Sequence, residues 1–213
     1  MVVIAVTYMN IDKITIIPLF PTPVFTYDID VDEGERLFLL NQYPDNVKDN
    51  AGNSTSKDAN ILKNKEVKLL QKKLLFCVND AFHRIYTPRY KCKLYITQSW
   101  LNFTSKDQHH HQHTHTNSIL SAVLYLRVAE NDCIVLHHPP HHHIFDIISN
   151  QYDMFNSKVW KLPIKENLLL IFPSTLPHSV PRVEHDTLRV SLSFNTFIKG
   201  ELGESISNNH LVL

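Results

Sequence analysis

After Pro88 the sequence breaks into short runs rich in apolar and β-branched residues, at 91–103, 118–128, 133–136, 168–172, 179–183 and 187–196, with turn-forming clusters between them. Several strands at such short spacing leave no room for helical crossovers. They must pair largely antiparallel and bury a core as a sandwich or barrel. The upstream part differs. Val67, Leu70, Leu74, Cys77, Ala81 and Ile85 recur at intervals of three or four, while Lys65, Lys68, Lys72 and Lys73 fall largely outside that face. This spacing predicts an amphipathic helix over about 59–85, ended by Pro88 and packed against a sheet. A shorter helix is expected from a cap at Asp30 or Asp32 to about Gln42. Residues 14–17 read as a strand, with pairing resumed at 24–27 beyond Pro18, Pro21 and Pro23. The Asn-, Asp- and Ser-rich stretch 44–58 reads as an exposed loop, and the tail 203–213, apart from its apolar last residues, as loosely anchored. The layout is α+β, mainly β: one domain over 1–213, with a helical part at 1–88 and a β core at about 89–198.

Composition narrows the function. Lys+Arg and Asp+Glu both number 21, so no bulk charge draws the chain to nucleic acid or an anionic membrane. No run of 18 apolar residues suggests a membrane helix, and residues 1–6 lack the basic flank of a secretory leader. Cys77, Cys92 and Cys133 are scattered without a CxxC pair, which suits reduced thiols and a cytoplasmic location.

Histidine is the unusual residue. Ten of the 14 lie between His109 and His143. Side chains two apart on an extended segment point the same way, so His113 and His115 offer two imidazoles to one ion; His111 shares that parity. His178, which follows a proline-bounded turn and opens the next β run, is the candidate third ligand. Divalent iron held by three residues on one face keeps positions open for cosubstrate and oxygen. The second cluster, His137, His138 and His141 to His143, contains Pro139 and Pro140 and reads as a loop without function.

Arg189 follows in a run of clean alternation. Arg189, Ser191, Ser193 and Asn195 share one side, and Leu188, Val190, Leu192 and Phe194 the other. In a solvent-facing sheet the polar side is the outside and Arg189 a surface residue; in a barrel with a polar ligand it is the lumen, where arginine grips a carboxylate through two parallel hydrogen bonds.

Taken together, four blocks resemble the 2-oxoglutarate/Fe(II)-dependent oxygenases, in particular a small prolyl-hydroxylase-like branch. They are Ser99-Trp100-Leu101-Asn102; His113-Thr114-His115 with the apolar run Leu120 to Leu126; Phe172-Pro173-Ser174 with His178-Ser179-Val180; and the run Arg189 to Asn195. The resemblance implies a double-stranded β-helix (jelly-roll) core with N-terminal helices packed on one sheet. It implies Fe(II) at His113, His115 and His178, in a register that disfavours His111. It also implies 2-oxoglutarate held at its far carboxylate by Arg189, with Ser191 and Tyr125 assisting. No catalytic residue is expected beyond the metal centre. Dioxygen and a small-molecule or peptidyl substrate complete the expected partners; the oligomeric state is not legible. Three features depart from the wider pattern: His-x-His where His-x-Asp is usual, Ala122 where glycine is expected, and Thr116-Asn117 where Pro-Gly is usual. Asp107 is a remote candidate for the missing carboxylate. Trp100, Phe103 and Trp160 are read as core aromatics or as the substrate entrance. Two other readings share the barrel: a cupin-like three-histidine dioxygenase that does not use 2-oxoglutarate, and a non-enzymatic jelly-roll binding module.

Overall fold

The computed structural model describes residues 15–138 and 147–213. In chain order it runs β1 (Phe25–Asp28), α1 (Glu33–Leu40), β2 (Val47–Asn50), β3 (Asn53–Ser56), α2 (Lys68–Tyr86), β4 (Cys92–Thr104), β5 (His110–His113), β6 (Leu120–Arg127), β7 (Cys133–His137), β8 (Val159–Pro163), β9 (Leu168–Pro173), β10 (His178–Val180), β11 (Arg189–Leu202) and β12 (Leu211–Val212). A large antiparallel sheet has the order β1-β9-β6-β11-β4-β3-β2, with β12 beside β11. A small sheet has the order β5-β10-β7-β8.

Strand alternation divides the large sheet into two buried faces. Leu101, Phe103, Leu120, Ala122, Leu124, Val190, Leu192 and Phe194 pack with Leu70, Leu74, Val78 and Ala81 of α2. On the other face, Val123 and Tyr125 of β6 and Leu170 and Phe172 of β9 meet Ile134 and Leu136 of the small sheet. Helices, large sheet and small sheet thus form successive layers, the double-stranded β-helix arrangement with helices on one sheet. A bulge keeps β4 in phase with this plan: pairing with β11 shifts between Asn195 and Thr196, so that inward positions change from Cys92 and Leu94 to Leu101 and Phe103.

The two helices begin differently. Asp32 caps α1, its carboxylate accepting from the Gly34 and Glu35 N–H groups. No side chain caps α2 from its own preceding residue. Instead buried Glu35 of α1 accepts from the Leu70 N–H at 2.8 Å, satisfying a first-turn donor of the neighbouring helix. The expected helix at 59–85 is shorter than its apolar spacing suggests. Ile61–Lys63 and Lys65–Val67 form separate 3-10 turns, because Asn64 adopts an extended backbone between them.

Other expectations are corrected. Thr15 to Ile17 form no strand: they pair with no other strand and their side chains are exposed; Ile14 lies outside the described residues, as do residues 1–6. Residues 44–58 are not a loop throughout. They contain the β2–β3 hairpin, joined to β4 through Ser54↔Phe103 and Thr55↔Asn102. Polar side chains hid this strand because they serve as its attachments: Thr55 Oγ1 donates to the Leu101 carbonyl, and Ser56 Oγ accepts from the Leu101 N–H. The tail is also paired, Leu202 with Leu211 and Glu201 with Val212. Strands of the segment before Pro88 therefore share the large sheet with those after it. No helix of the described residues is long and apolar enough to cross a membrane.

Candidate metal centre

Strands β5 and β10 are neighbours, and their register places His178 directly opposite His113. The two ring centroids are 4.3 Å apart. His115, just past the end of β5, is fixed by its backbone N–H donating to the Ser174 carbonyl at 2.9 Å. Its ring lies 5.0 Å from that of His113 and 5.1 Å from that of His178. One ring nitrogen from each of the three falls within 4.8 Å of the others.

The ring nitrogens are oriented for a ligand. His113 Nδ1 lies 2.8 Å from the His111 carbonyl, and His178 Nδ1 lies 3.0 Å from the Leu176 carbonyl. A carbonyl only accepts, so each Nδ1 carries the proton and each Nε2 keeps its lone pair. Burial holds the rings neutral. It lowers His113, pushes His115 down to about 4 and His178 down to about 3, with neighbouring histidines adding to the last two. Three neutral imidazole donors on one side of a cavity fit a borderline divalent ion such as Fe(II), Zn(II) or Ni(II).

Two more histidines extend the cluster. His110 stacks on His113 at 4.4 Å, and burial pushes it down to about 3. His110, His111 and His113 also bring ring nitrogens within 4.8 Å, but His111 is exposed, whereas the other group includes buried His178. Asp107 contributes no carboxylate to either group; it pairs with Arg182 at 2.9 Å on the surface. Of the second histidine cluster, His137 at the end of β7 shares a 2.8 Å hydrogen bond with Ser179 Oγ of β10. His141 to His143 lie outside the described residues.

The alternation of β11 delivers its polar face to the same place. Arg189 pairs with Thr104, Ser191 with Asn102 and Tyr125, and Ser193 with Trp100 and Val123. These rows line an inner cavity shared with His110, His113, His115 and His178. Its cavity volume is about 30 Å³. The Tyr125 hydroxyl and Asn102 Oδ1 are buried without a hydrogen-bond partner among the described residues. Unpaired buried polar atoms are costly, so a polar ligand fits this wall. Trp100 bridges to an outer cavity of about 650 Å³, walled by β2 and β3 residues including Lys48, Asp49 and Asn50. Phe103 belongs instead to the helix-side core, and Trp160 is 49% exposed on β8.

Sequence reasoning overlooked Asp132. Its carboxylate meets Arg189 Nε at 3.0 Å, with side-chain exposures of 5% and 3%. Nothing local marks this contact, because 57 residues separate the partners. Asn102 was legible in principle, since it shares strand parity with Trp100; His110 has the opposite parity to His113 and joins the cluster through the register irregularity between β5 and β10.

Residues 98–195 match the family model described as "Putative 2OG-Fe(II) oxygenase". The matched segment holds His113, His115, His178 and Arg189, and the fold of the chain is that of solved 2-oxoglutarate/Fe(II)-dependent oxygenases. Among solved structures, HygX from Streptomyces hygroscopicus with nickel, 2-oxoglutarate and hygromycin B bound is similar at TM-score 0.53 and 10% identity, over 82% of each chain. A Pseudomonas putida prolyl-4-hydroxylase is similar at TM-score 0.53 and 9% identity, over 82% of this chain and 92% of that one. Against an oxidoreductase of the 2OG-Fe(II) oxygenase family from Burkholderia pseudomallei, the match spans 71% of this chain and 65% of that one, at TM-score 0.46 and 15% identity. No curated protein sequence matches the chain significantly.

Proposed function

We propose that this chain is a 2-oxoglutarate-dependent hydroxylase working as one unit, with Fe(II) held by His113, His115 and His178. The observation that carries the reading is the single inner cavity lined by both these histidines and Arg189. Arg189 binds the far carboxylate of 2-oxoglutarate, the Tyr125 hydroxyl donates to it, and Ser191 supplies a further hydroxyl. With the metal and 2-oxoglutarate bound, dioxygen would be the oxidant: one of its oxygen atoms would enter the succinate formed, with carbon dioxide, from 2-oxoglutarate, and the other would hydroxylate an unactivated C–H bond of the substrate. The protein orients the diacid, and its apolar wall at Val123 and Ile134 excludes water from the reacting atoms. The outer cavity, with Lys48, Asp49, Asn50, Gln98 and Asn195 in its wall, suits a polar substrate.

The test is iron-dependent conversion of 2-oxoglutarate to succinate by the purified protein, together with calorimetric 2-oxoglutarate binding to the nickel-loaded form without oxygen. Both are expected. Metal binding with neither 2-oxoglutarate binding nor succinate formation replaces this reading with that of a three-histidine metal protein of another class.

A further inference from the structure

The geometry points to Asp132 as the positioning residue of the cosubstrate subsite, acting through Arg189. The inference rests on the assignment of Arg189 as carboxylate clamp. Asp132 is a rigid anchor. Its Oδ1 accepts from the Cys133 N–H at 2.8 Å, and its carbonyl accepts from the Ile164 N–H at 3.1 Å. Its Oδ2 lies 3.0 Å from Arg189 Nε as a buried ion pair without hydrogen-bond geometry. On another side the guanidinium lies against the Tyr125 ring, with Cζ 5.3 Å from the centroid. No other carboxylate of the described residues lies within ion-pair distance of Arg189.

A guanidinium is a planar fork of five N–H donors. The ion pair with Asp132 is made at Nε, which leaves the terminal N–H groups for the cavity that Arg189 lines. The arrangement pre-orients the clamp, so less freedom is lost when a diacid binds. It also completes the charge count. Three neutral imidazoles and a divalent ion carry two positive charges, which the dianion of 2-oxoglutarate balances. An unpaired Arg189 leaves one buried positive charge over, and Asp132 cancels it. A metal set with a carboxylate ligand holds that negative charge on the ion; here the charge stands beside the arginine.

Asparagine cannot replace this carboxylate. Its single oxygen serves either the Cys133 N–H or Arg189, and its amide hydrogens then face the other donor. Asp132→Asn is therefore expected to weaken 2-oxoglutarate binding to the nickel-loaded protein by about tenfold or more, the scale of one lost charge-assisted contact. Nickel affinity is expected to be unchanged. In a double-mutant cycle, Asp132→Asn added to Arg189→Gln produces no further loss beyond Arg189→Gln alone. The double variant also leaves no unpaired buried charge, so it keeps the test decisive where the single Asp132→Asn variant does not fold. Unchanged or tighter binding in Asp132→Asn overturns the inference, since Asp132 is then a structural counter-ion or a competitor for the guanidinium. Additive losses in the double variant also overturn it. Unchanged binding in Arg189→Gln removes the clamp itself and the inference with it, which separates failure of the underlying reading from failure of this one.

Discussion

His178 faces His113 across two neighbouring strands, and each imidazole presents the nitrogen that its own backbone carbonyl contact leaves unprotonated. One candidate ligand is thus set by a strand and the opposing candidate by the start of another, 65 residues later. His178→Ala is expected to weaken Fe(II) or Ni(II) binding by more than the ~10–100-fold that loss of an outer-shell partner costs. His111→Ala is expected to retain near-parental affinity. Metal content after dialysis, read against a chelator series, checks both. Parental metal affinity in His178→Ala moves the ion to the His110, His111 and His113 group.

Burial of neutral histidines gives the metal-free protein a pH dependence. His178 and His115 titrate near 3 and 4 in the folded chain, against 6.5 unfolded. Between these values the unfolded chain binds more protons, so protonation pulls toward unfolding. The contribution is complete above pH 6.5 and is lost as pH falls toward 3. The urea midpoint of chelator-treated protein is expected to fall from pH 7.5 to pH 5, and to fall less in His115→Gln. Equal pH slopes for the two proteins refute the assignment.

Much of this was legible because the site rides on period-2 alternation. The polar side of Arg189, Ser191, Ser193 and Asn195 follows from strand geometry alone, and His113 with His115 from the same rule. What stayed hidden depended on distant partners. The β2–β3 hairpin has no apolar period, since its polar side chains bond to β4. Asp132 reaches Arg189 only once β7 and β11 are both in place. Tyr125 was found through resemblance; its buried, unpaired hydroxyl, raised to about 12 by burial, is visible only in three dimensions. The ligand preference for His113 over His111 was likewise not settled by parity.

Gly52 ties the hairpin to the histidine strand. Its φ is +93°, its carbonyl accepts from the His109 N–H at 3.1 Å, and an added Cβ would sit 2.7 Å from the His109 carbonyl oxygen. Both backbone angle and space exclude a side chain. Gly52→Ala is expected to cost about 1–3 kcal/mol and to loosen the outer cavity wall. Thermal melting measures the cost, and faster amide exchange at Lys48 to Asn50 reports the loosening. A parental melting temperature with unaltered exchange contradicts this account.

Trp100 reports on the site because it lines both cavities, and its ring centroid lies 5.7 Å from that of His115. The other tryptophan, Trp160, is half-exposed at the edge of the small sheet. An open-shell ion held by His115 quenches an indole so close to it, whereas zinc, with a filled d shell, does so far less. Nickel titration is therefore expected to quench the Trp160→Phe protein with one-to-one stoichiometry and to leave the Trp100→Phe protein nearly unchanged. Because Trp100 lines the inner cavity, adding 2-oxoglutarate to the nickel form is expected to shift its emission further. Quenching confined to Trp160 places the ion away from His115.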